Sequence, residues 1–313
     1  VVNSNNLNIL VAGGAGFIGS HLCERLLSDG HKVICMDNFV TGQKENISHL
    51  LENKSFELIE QDITKSFEID RDISQIYNLA SPASPMDFGK IPLKIMEVGS
   101  LGVMNLLSIA KEKGARFFQA STSEVYGDPL EHPQKESYFG NVNPIGPRAC
   151  YDESKRFAEA LVMSYKRKFN LETRIVRIFN TYGPRMRADD GRIVPTFINQ
   201  ALNNEPLTVF GDGTQTRSFC FVSDQVEGQI RLMNSDCDFP VNIGNPSEIT
   251  VIDFAKKIIE LSNSDSEIVF RPLPKDDPLR RKPDVTKAKN FLNWEAKVRL
   301  EHGLKETIVY FKK

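Results

Sequence analysis

NILVAGGAGFIG, residues 8–19, runs from an unbroken apolar stretch into glycines at 13, 16 and 19, and continues as SHLCERLL, whose apolar spacing is that of a helix. A buried strand that stops on a glycine-rich turn and resumes as a helix is the opening of a parallel-sheet unit. Gly13, Gly16 and Gly19 have separate uses there: a tight turn, close approach of backbone N–H groups to a pyrophosphate, and close helix packing. The helix N-terminus adds a field that favours the anion. The next apolar run, KVICMD, ends on Asp37, 18 residues past Gly19. A carboxylate at that point accepts hydrogen bonds from a ribose diol and repels a 2′-phosphate, so the pattern predicts a dinucleotide site that prefers NAD to NADP. Asp62 ends the following run in QDI, a place suited to meeting an adenine amine.

Outward from this stretch the alternation repeats. Strand-like runs at 56–61, 73–80, 116–121 and 173–179 are separated by helical spacing at 18–28, 93–113 and 151–169. Such alternation implies crossover units on a doubly wound parallel sheet, the α/β Rossmann arrangement, with helices on both faces. After about residue 180 the long strands stop, and Pro and Gly punctuate shorter elements in YGPR, GDGTQTR, GNPSE and RPLPKDDP. We read residues 1–180 as the cofactor-binding domain and 181–313 as a smaller α/β substrate lobe, with the chain free to cross back between them. Ligands of open parallel sheets sit at the carboxyl ends of the strands, where such a lobe would close over them.

Composition bounds the function classes. With 313 residues and 40% hydrophobic content, the chain can bury a large core. A net charge of −2 supplies no broad basic field for nucleic acid or an anionic membrane. The five cysteines are scattered and include no C-x-x-C pair, which argues against a disulfide framework or a zinc site and for a reducing, cytoplasmic setting. No metal is expected. No apolar run approaches the roughly 18 residues of a membrane span, and the start VVNSNN does not read as a signal peptide. An anchor upstream of Val1 is left open.

Two further stretches carry chemistry. In 118-FQASTSEVYGDP-129 an apolar run ends in the hydroxyls of Thr122 and Ser123, followed by Glu124. In 150-CYDESKRFAEA-160, Tyr151 and Lys155 stand four apart and therefore share a helix face. A phenol with an ordinary pKa near 10 is a poor base at neutral pH, and a neighbouring ammonium is expected to lower that value.

Taken together, the glycine loop, the Thr122 strand end and the Tyr151–Lys155 pair resemble the extended short-chain dehydrogenase/reductase family of nucleotide-sugar epimerases, dehydratases and decarboxylases. That resemblance implies that Tyr151 takes a proton from a sugar hydroxyl, that Thr122 hydrogen-bonds the same oxygen, and that hydride passes to NAD. Lys155 would also bond the nicotinamide ribose. Further cofactor contacts are implied at Phe17, Ile18, Asn38, Thr41, Ile63, Leu79 and Ser81. LASPASP (79–85), NPIGPRACYDESKR (143–156), RIFNTYGPRM (177–186), GDGTQTRSFCFVSD (211–224) and RRKPD (280–284) are most similar to the UDP-glucuronic acid decarboxylase branch. This implies a UDP-sugar substrate, oxidation at carbon 4, loss of carbon dioxide from the β-keto acid, and return of hydride by the same cofactor. It also implies a homodimer built from the helices at 93–113 and 151–169.

A site for a carboxylated sugar that already contains Glu124 needs a cation, because like charges at short range are costly. Arg281 in RRKPD matches the arginine the branch uses near the sugar carboxylate. Asn180 and Arg217 match positions that hold UDP; Gln215 and Arg192 are candidates of the same kind, Arg192 reading equally as a surface residue at a helix start. The chain departs from the branch at 98-VGSLGV-103, where Gly99 replaces an asparagine, and at Glu97, which replaces a lysine. A 4,6-dehydratase would use a glutamate at 124 as the base for carbon 5, usually with an acid where this chain has Ser123. A 4-epimerase generally lacks Glu124, and an NAD-binding sensor would commonly have lost the tyrosine or lysine.

Overall fold

Successive side chains of a strand point to opposite sides, so a strand buried on both faces feeds two cores. In β1 (Asn8–Ala12), Ile9 and Val11 join one apolar cluster while Leu10 and Ala12 join another. The computed structural model describes residues 6–273 and 280–312. The chain continues through α1 (Phe17–Ser28), β2 (Lys32–Asp37), β3 (Phe56–Glu60), β4 (Gln75–Asn78), α2 (Pro85–Phe88), α3 (Pro92–Glu97), α4 (Val103–Lys113), β5 (Arg116–Thr122) and α5 (Ala149–Phe169). Then follow β6 (Thr173–Ile178), β7 (Thr181–Tyr182), α6 (Ile193–Leu202), β8 (Leu207–Phe210), β9 (Thr216–Ser218), β10 (Cys220–Phe221), α7 (Val222–Met233) and β11 (Val241–Ile243). The last elements are β12 (Glu248–Thr250), α8 (Val251–Ser262), β13 (Ile268–Arg271), β14 (Arg280–Arg281), α9 (Thr286–Leu292) and α10 (Leu300–Phe311).

Seven strands form one parallel sheet in the order β11-β6-β5-β4-β1-β2-β3. The order reverses at β1, which pairs Ala12 with Met36 of β2 on one side and with Asn78 of β4 on the other. The ligand crevice of such a sheet lies at the carboxyl ends beside that reversal. The fold class expected from the alternation is present, and the expected strands match to within one or two residues at their ends.

The seventh strand is an addition. β11 is three residues long, too short for a periodicity to declare itself, yet it returns from the second half of the chain to pair with β6, Val241 opposite Val176. The small sheets, β12-β9-β14, β13-β8 and β10-β7, belong to the 181–313 region. One apolar cluster runs from Ile9 and Leu22 under the large sheet to Phe219, Phe254 and Leu304, so the two regions share a core. The register of β14 on β9 sets Arg281 opposite Arg217. Residues 1–5, 274–279 (which take in the last five residues of RPLPKDDP) and 313 lie outside the described residues.

The helix expected at 93–113 is continuous but not uniform. α3 passes into a π-helical turn, Val98–Gly102, and then into α4. A Cβ on Gly99 would stand 2.6 Å from Cβ of Ser154, so the glycine is what lets this turn press against α5. An asparagine there would collide with α5. Joined, Pro92–Lys113 makes 22 residues with a mean hydropathy of 1.4 over its most apolar 18, long and apolar enough to cross a membrane by length and composition alone. Half of that window is buried inside the protein against α5 and the sheet.

Candidate active site

α1 begins at Gly16 with no side-chain cap, which leaves its first-turn N–H groups for an outside acceptor. Gly13 has φ +78°, and a Cβ there would lie 2.6 Å from the Ala80 nitrogen. At Gly19 a Cβ would meet the Gly13 carbonyl oxygen at 2.1 Å, so helix and turn touch at that point. Gly16 differs: its Cβ would meet only the Gly13 oxygen, at 3.2 Å, so the space it keeps clear is not needed by the protein itself. Asp37, buried at the end of β2, accepts the Ala15 N–H on Oδ2 at 3.0 Å and the Phe39 N–H on Oδ1 at 2.9 Å. Two backbone donors aim the carboxylate while leaving lone pairs on both oxygens for a diol. Burial holds its pKa above the ordinary value despite those bonds.

Above these strand ends lies a cavity of about 500 Å³. Its floor includes Gly13, Gly16, Phe17, Ile18 and Gly19, with Thr41, Leu79 and Ser81 beside them. Thr122, Ser123, Glu124, Tyr151 and Lys155 form the middle, and Asn180, Arg192, Gln215, Arg217 and Arg281 line the far side. Asp37, Asn38, Asp62 and Ile63 stand outside this lining. Asn38 accepts the Val40 N–H at 3.2 Å, and Ile63 packs where Gly102 lacks a side chain. Asp62 is committed on both oxygens. Oδ2 receives Lys94 Nζ at 2.6 Å, while Oδ1 receives the N–H and hydroxyl of Thr64 at 2.9 and 2.7 Å. Burial opposes its ionisation, but those bonds and the Lys94 charge outweigh it and bring the group to about 2.

Tyr151 and Lys155 share the buried face of α5, as their spacing requires. Lys155 Nζ donates to the Ala120 carbonyl at 2.9 Å and lies 5.7 Å from the centroid of the Tyr151 ring. Burial lowers this lysine to about 8. The phenol does not follow the expected direction: burial lifts Tyr151 to about 12, and the Arg192 charge and the Thr122 hydroxyl only partly offset that. Desolvation of a phenolate exceeds what one ammonium bonded elsewhere returns. Phe88 stacks on the tyrosine with centroids 5.1 Å apart.

Thr122 ends β5 and caps the following turn, its hydroxyl accepting the Glu124 N–H at 3.2 Å. Glu124 is thereby fixed between two cations: its Oε2 receives Arg148 Nη2 at 2.8 Å, and its Oε1 receives Arg281 Nη1. Arg281, only 3% exposed, also reaches the Gly127 carbonyl at 3.1 Å and the Ser123 hydroxyl at 3.5 Å. Burial would raise the glutamate, but the charges of Arg281 and Arg148 and their hydrogen bonds hold it near 2. A carboxylate so held is a weak base.

Arg148 was not anticipated as a site residue, although it lies inside NPIGPRACYDESKR. The signal for it is physical: it is the N-cap residue of α5, where a cation opposes the helix dipole unless an anion faces it. Also unanticipated are Arg185, Arg187 and Asp190, which line the cavity beside Arg192. Arg192 stands at a helix start and also lines the cavity. It is the N-cap residue of α6, and it turns to the cavity wall, donating to the Ala83 carbonyl at 2.5 Å and approaching Asp190 at 3.4 Å. Gln215 donates to the Phe210 carbonyl, and Arg217 to the Thr216 carbonyl at 2.9 Å. Glu97 is outside the lining, 3.7 Å from Lys94. Among the described residues no cluster of His, Cys, Asp and Glu is arranged to hold a metal.

Comparison with known proteins places this geometry. The pattern describing the GDP-mannose 4,6-dehydratase family matches residues 10–307. UDP-glucuronic acid decarboxylase 4 of Arabidopsis thaliana is 55% identical over 298 residues, covering 95% of this chain and 67% of its own length. UDP-glucuronic acid decarboxylase 1 of Xenopus tropicalis is 53% identical over 305 residues, covering 97% and 72%. The chain thus spans about two thirds to three quarters of these relatives. Among solved structures, UDP-glucuronic acid 4-epimerase from Bacillus cereus in complex with UDP-glucuronic acid and NAD superposes with a TM-score of 0.88 at 30% identity, over 98% of this chain and 99% of that one.

Proposed function

We propose, from the premise that this chain belongs to the GDP-mannose 4,6-dehydratase family of extended short-chain dehydrogenases/reductases and within it to the UDP-glucuronic acid decarboxylases, that it converts UDP-glucuronate to UDP-xylose with NAD as a resident cofactor. The observation that carries the reading is Glu124 clamped between Arg148 and Arg281. A dehydratase needs a basic carboxylate at carbon 5. This one sits near 2 with both oxygens engaged, whereas the two guanidinium groups suit a substrate that brings its own carboxylate.

The residues that would hold NAD fit it: the uncapped start of α1, the space kept by Gly16, and Asp37 with free lone pairs on both oxygens. Bound there, NAD would supply the hydride acceptor that oxidation at carbon 4 needs and, once reduced, the hydride donor for the final reduction. Tyr151 and Thr122 hold the oxygen on carbon 4, first taking its proton and then giving it back. When the C5–C6 bond breaks, the electron pair moves onto that oxygen, where two hydroxyl donors stabilise it in a buried setting, and it returns to carbon 5 as that carbon takes a proton from solvent water. Arg148 and Arg281 orient the departing carboxylate. Because they already share Glu124, neither offers a full unpaired cation, and a tighter ion pair would resist loss of carbon dioxide. Asn180, Gln215 and Arg217 line the same cavity, which supports their assignment to the nucleotide end of the substrate.

Leu93, Leu101, Met104 and Phe157 are 75, 50, 41 and 48% exposed along α3, the π turn, α4 and α5, an apolar stripe that supports a homodimer formed through these helices. The five free cysteines support a reducing, cytoplasmic setting. Incubation with UDP-glucuronate and NAD, followed by NMR of the sugar products, tests the function. UDP-xylose with stoichiometric carbon dioxide is expected; the 4-epimer UDP-galacturonate, or unchanged substrate, would overturn the reading.

A further inference from the structure

Beside the clamped glutamate is a second carboxyl that the reaction above does not use. Asp152 follows Tyr151 in the first turn of α5, one helical turn from Arg148, and is 6% exposed. Its Oδ1 is sealed from water and accepts no hydrogen bond. A buried carboxylate with an unsatisfied oxygen is costly, and such a group avoids the cost by keeping a proton. The charged groups acting on it are Glu124 from the turn after β5, Arg148 from the α5 N-cap, Arg281 from β14 and Glu153 beside it. On α3, packed against α5, Lys94 and Glu97 are engaged with Asp62 and with each other. Arg156, one turn on, donates to the Val125 and Phe139 carbonyls.

Two permanently charged guanidinium groups bracket the ionised Glu124, and ionising Asp152 would add one negative charge beside that Arg281–Glu124–Arg148 chain, so the neutral form leaves the cluster one unit more positive. We propose that Asp152 is a proton-holding positioning residue, whose neutral form keeps a further negative charge out of this cluster and so favours a uronate carboxylate there. Burial, then the Glu124 charge, raises it to about 7 against the opposing pull of both arginines, within the range a cell visits. Binding a carboxylated sugar adds a negative charge and raises it further, so binding above pH 7 takes up a proton. A sugar without the carboxylate does not demand one. The inference rests on UDP-glucuronate being the substrate.

The test is calorimetry on the NAD-loaded Tyr151→Phe protein, which binds without turnover, at about pH 8 in two buffers of different ionisation enthalpy. UDP-glucuronate should draw up to about one proton and UDP-xylose close to none. Adding Asp152→Asn should abolish the difference. In the enzyme with Tyr151 intact, KM for UDP-glucuronate should rise by up to about tenfold per pH unit above 7, because only the neutral form is competent, and Asp152→Asn should remove that rise. Equal uptake with both nucleotides, or uptake that survives Asp152→Asn, overturns the inference. The calorimetric comparison does not depend on the Asp152 variant folding. Turnover of UDP-glucuronate without proton uptake removes this inference alone, and failure to bind or turn over UDP-glucuronate removes the functional reading with it.

Discussion

Replacing Arg281 with methionine keeps much of the side-chain volume and removes the charge. It strips Glu124 Oε1 of its partner and leaves the Gly127 carbonyl, which accepts from Arg281 Nη2 at 3.1 Å, without that donor. Removing one member of a buried ion pair costs about 3–5 kcal/mol, because the other charge stays buried. Here Arg148 remains on Oε2 at 2.8 Å, which places the loss toward the lower end, near 3 kcal/mol once the orphaned carbonyl is included. Glu124→Gln in the same protein removes the stranded charge, so the double variant should recover roughly half of that loss. Both variants should lose decarboxylation by about 10²-fold or more, since the guanidinium facing the sugar carboxylate is gone in each. Urea unfolding at fixed NAD concentration, beside a carbon dioxide assay, separates the two effects. A single variant within about 0.5 kcal/mol of the parent, or a double variant no more stable than the single, would refute the clamp. Unchanged carbon dioxide release would refute the assigned role.

Tyr151→Phe should lower turnover by about 10²–10⁴-fold while NAD binding, followed by calorimetry, persists, because the residues expected to hold the dinucleotide are untouched. Asp37→Ala should strand the Ala15 and Phe39 N–H groups, at about 1–3 kcal/mol each where they stay dry, and should narrow the preference for NAD over NADP in competition binding. An undiminished preference would move the ribose contact elsewhere. Gly99→Asn should destabilise by about 1–3 kcal/mol through the 2.6 Å approach to Ser154, read as a lower urea midpoint; an equally stable variant would remove that explanation of the glycine.

How far the sequence could be read follows from which forces act locally. The β1–α1 turn was legible because much of it is decided by chain neighbours: a glycine is required where backbone meets backbone, as at Gly19 against the Gly13 carbonyl. Tyr151 and Lys155 were placed correctly by helical spacing, but the direction of the phenol's pKa was not, because burial and the Ala120 carbonyl that occupies Lys155 are contributed by residues far along the chain. Arg148 escaped notice for the same reason. Nothing adjacent to it says that Glu124, 24 residues earlier, is its partner. β11 is recruited to the large sheet by β6, not by its own three residues. Gly99 read as a departure in the sequence and becomes intelligible only against Ser154 on the neighbouring helix.

The central claim is that oxidation at carbon 4, loss of carbon 6 and reduction at carbon 4 occur around one cofactor that stays in place. UDP-glucuronate deuterated at carbon 4 and labelled with ¹³C at carbon 6 tests this in one NMR experiment. The account predicts ¹³C in released carbon dioxide and UDP-xylose that keeps its deuterium at carbon 4. Product carrying solvent hydrogen at carbon 4, or label retained at carbon 6, would contradict it.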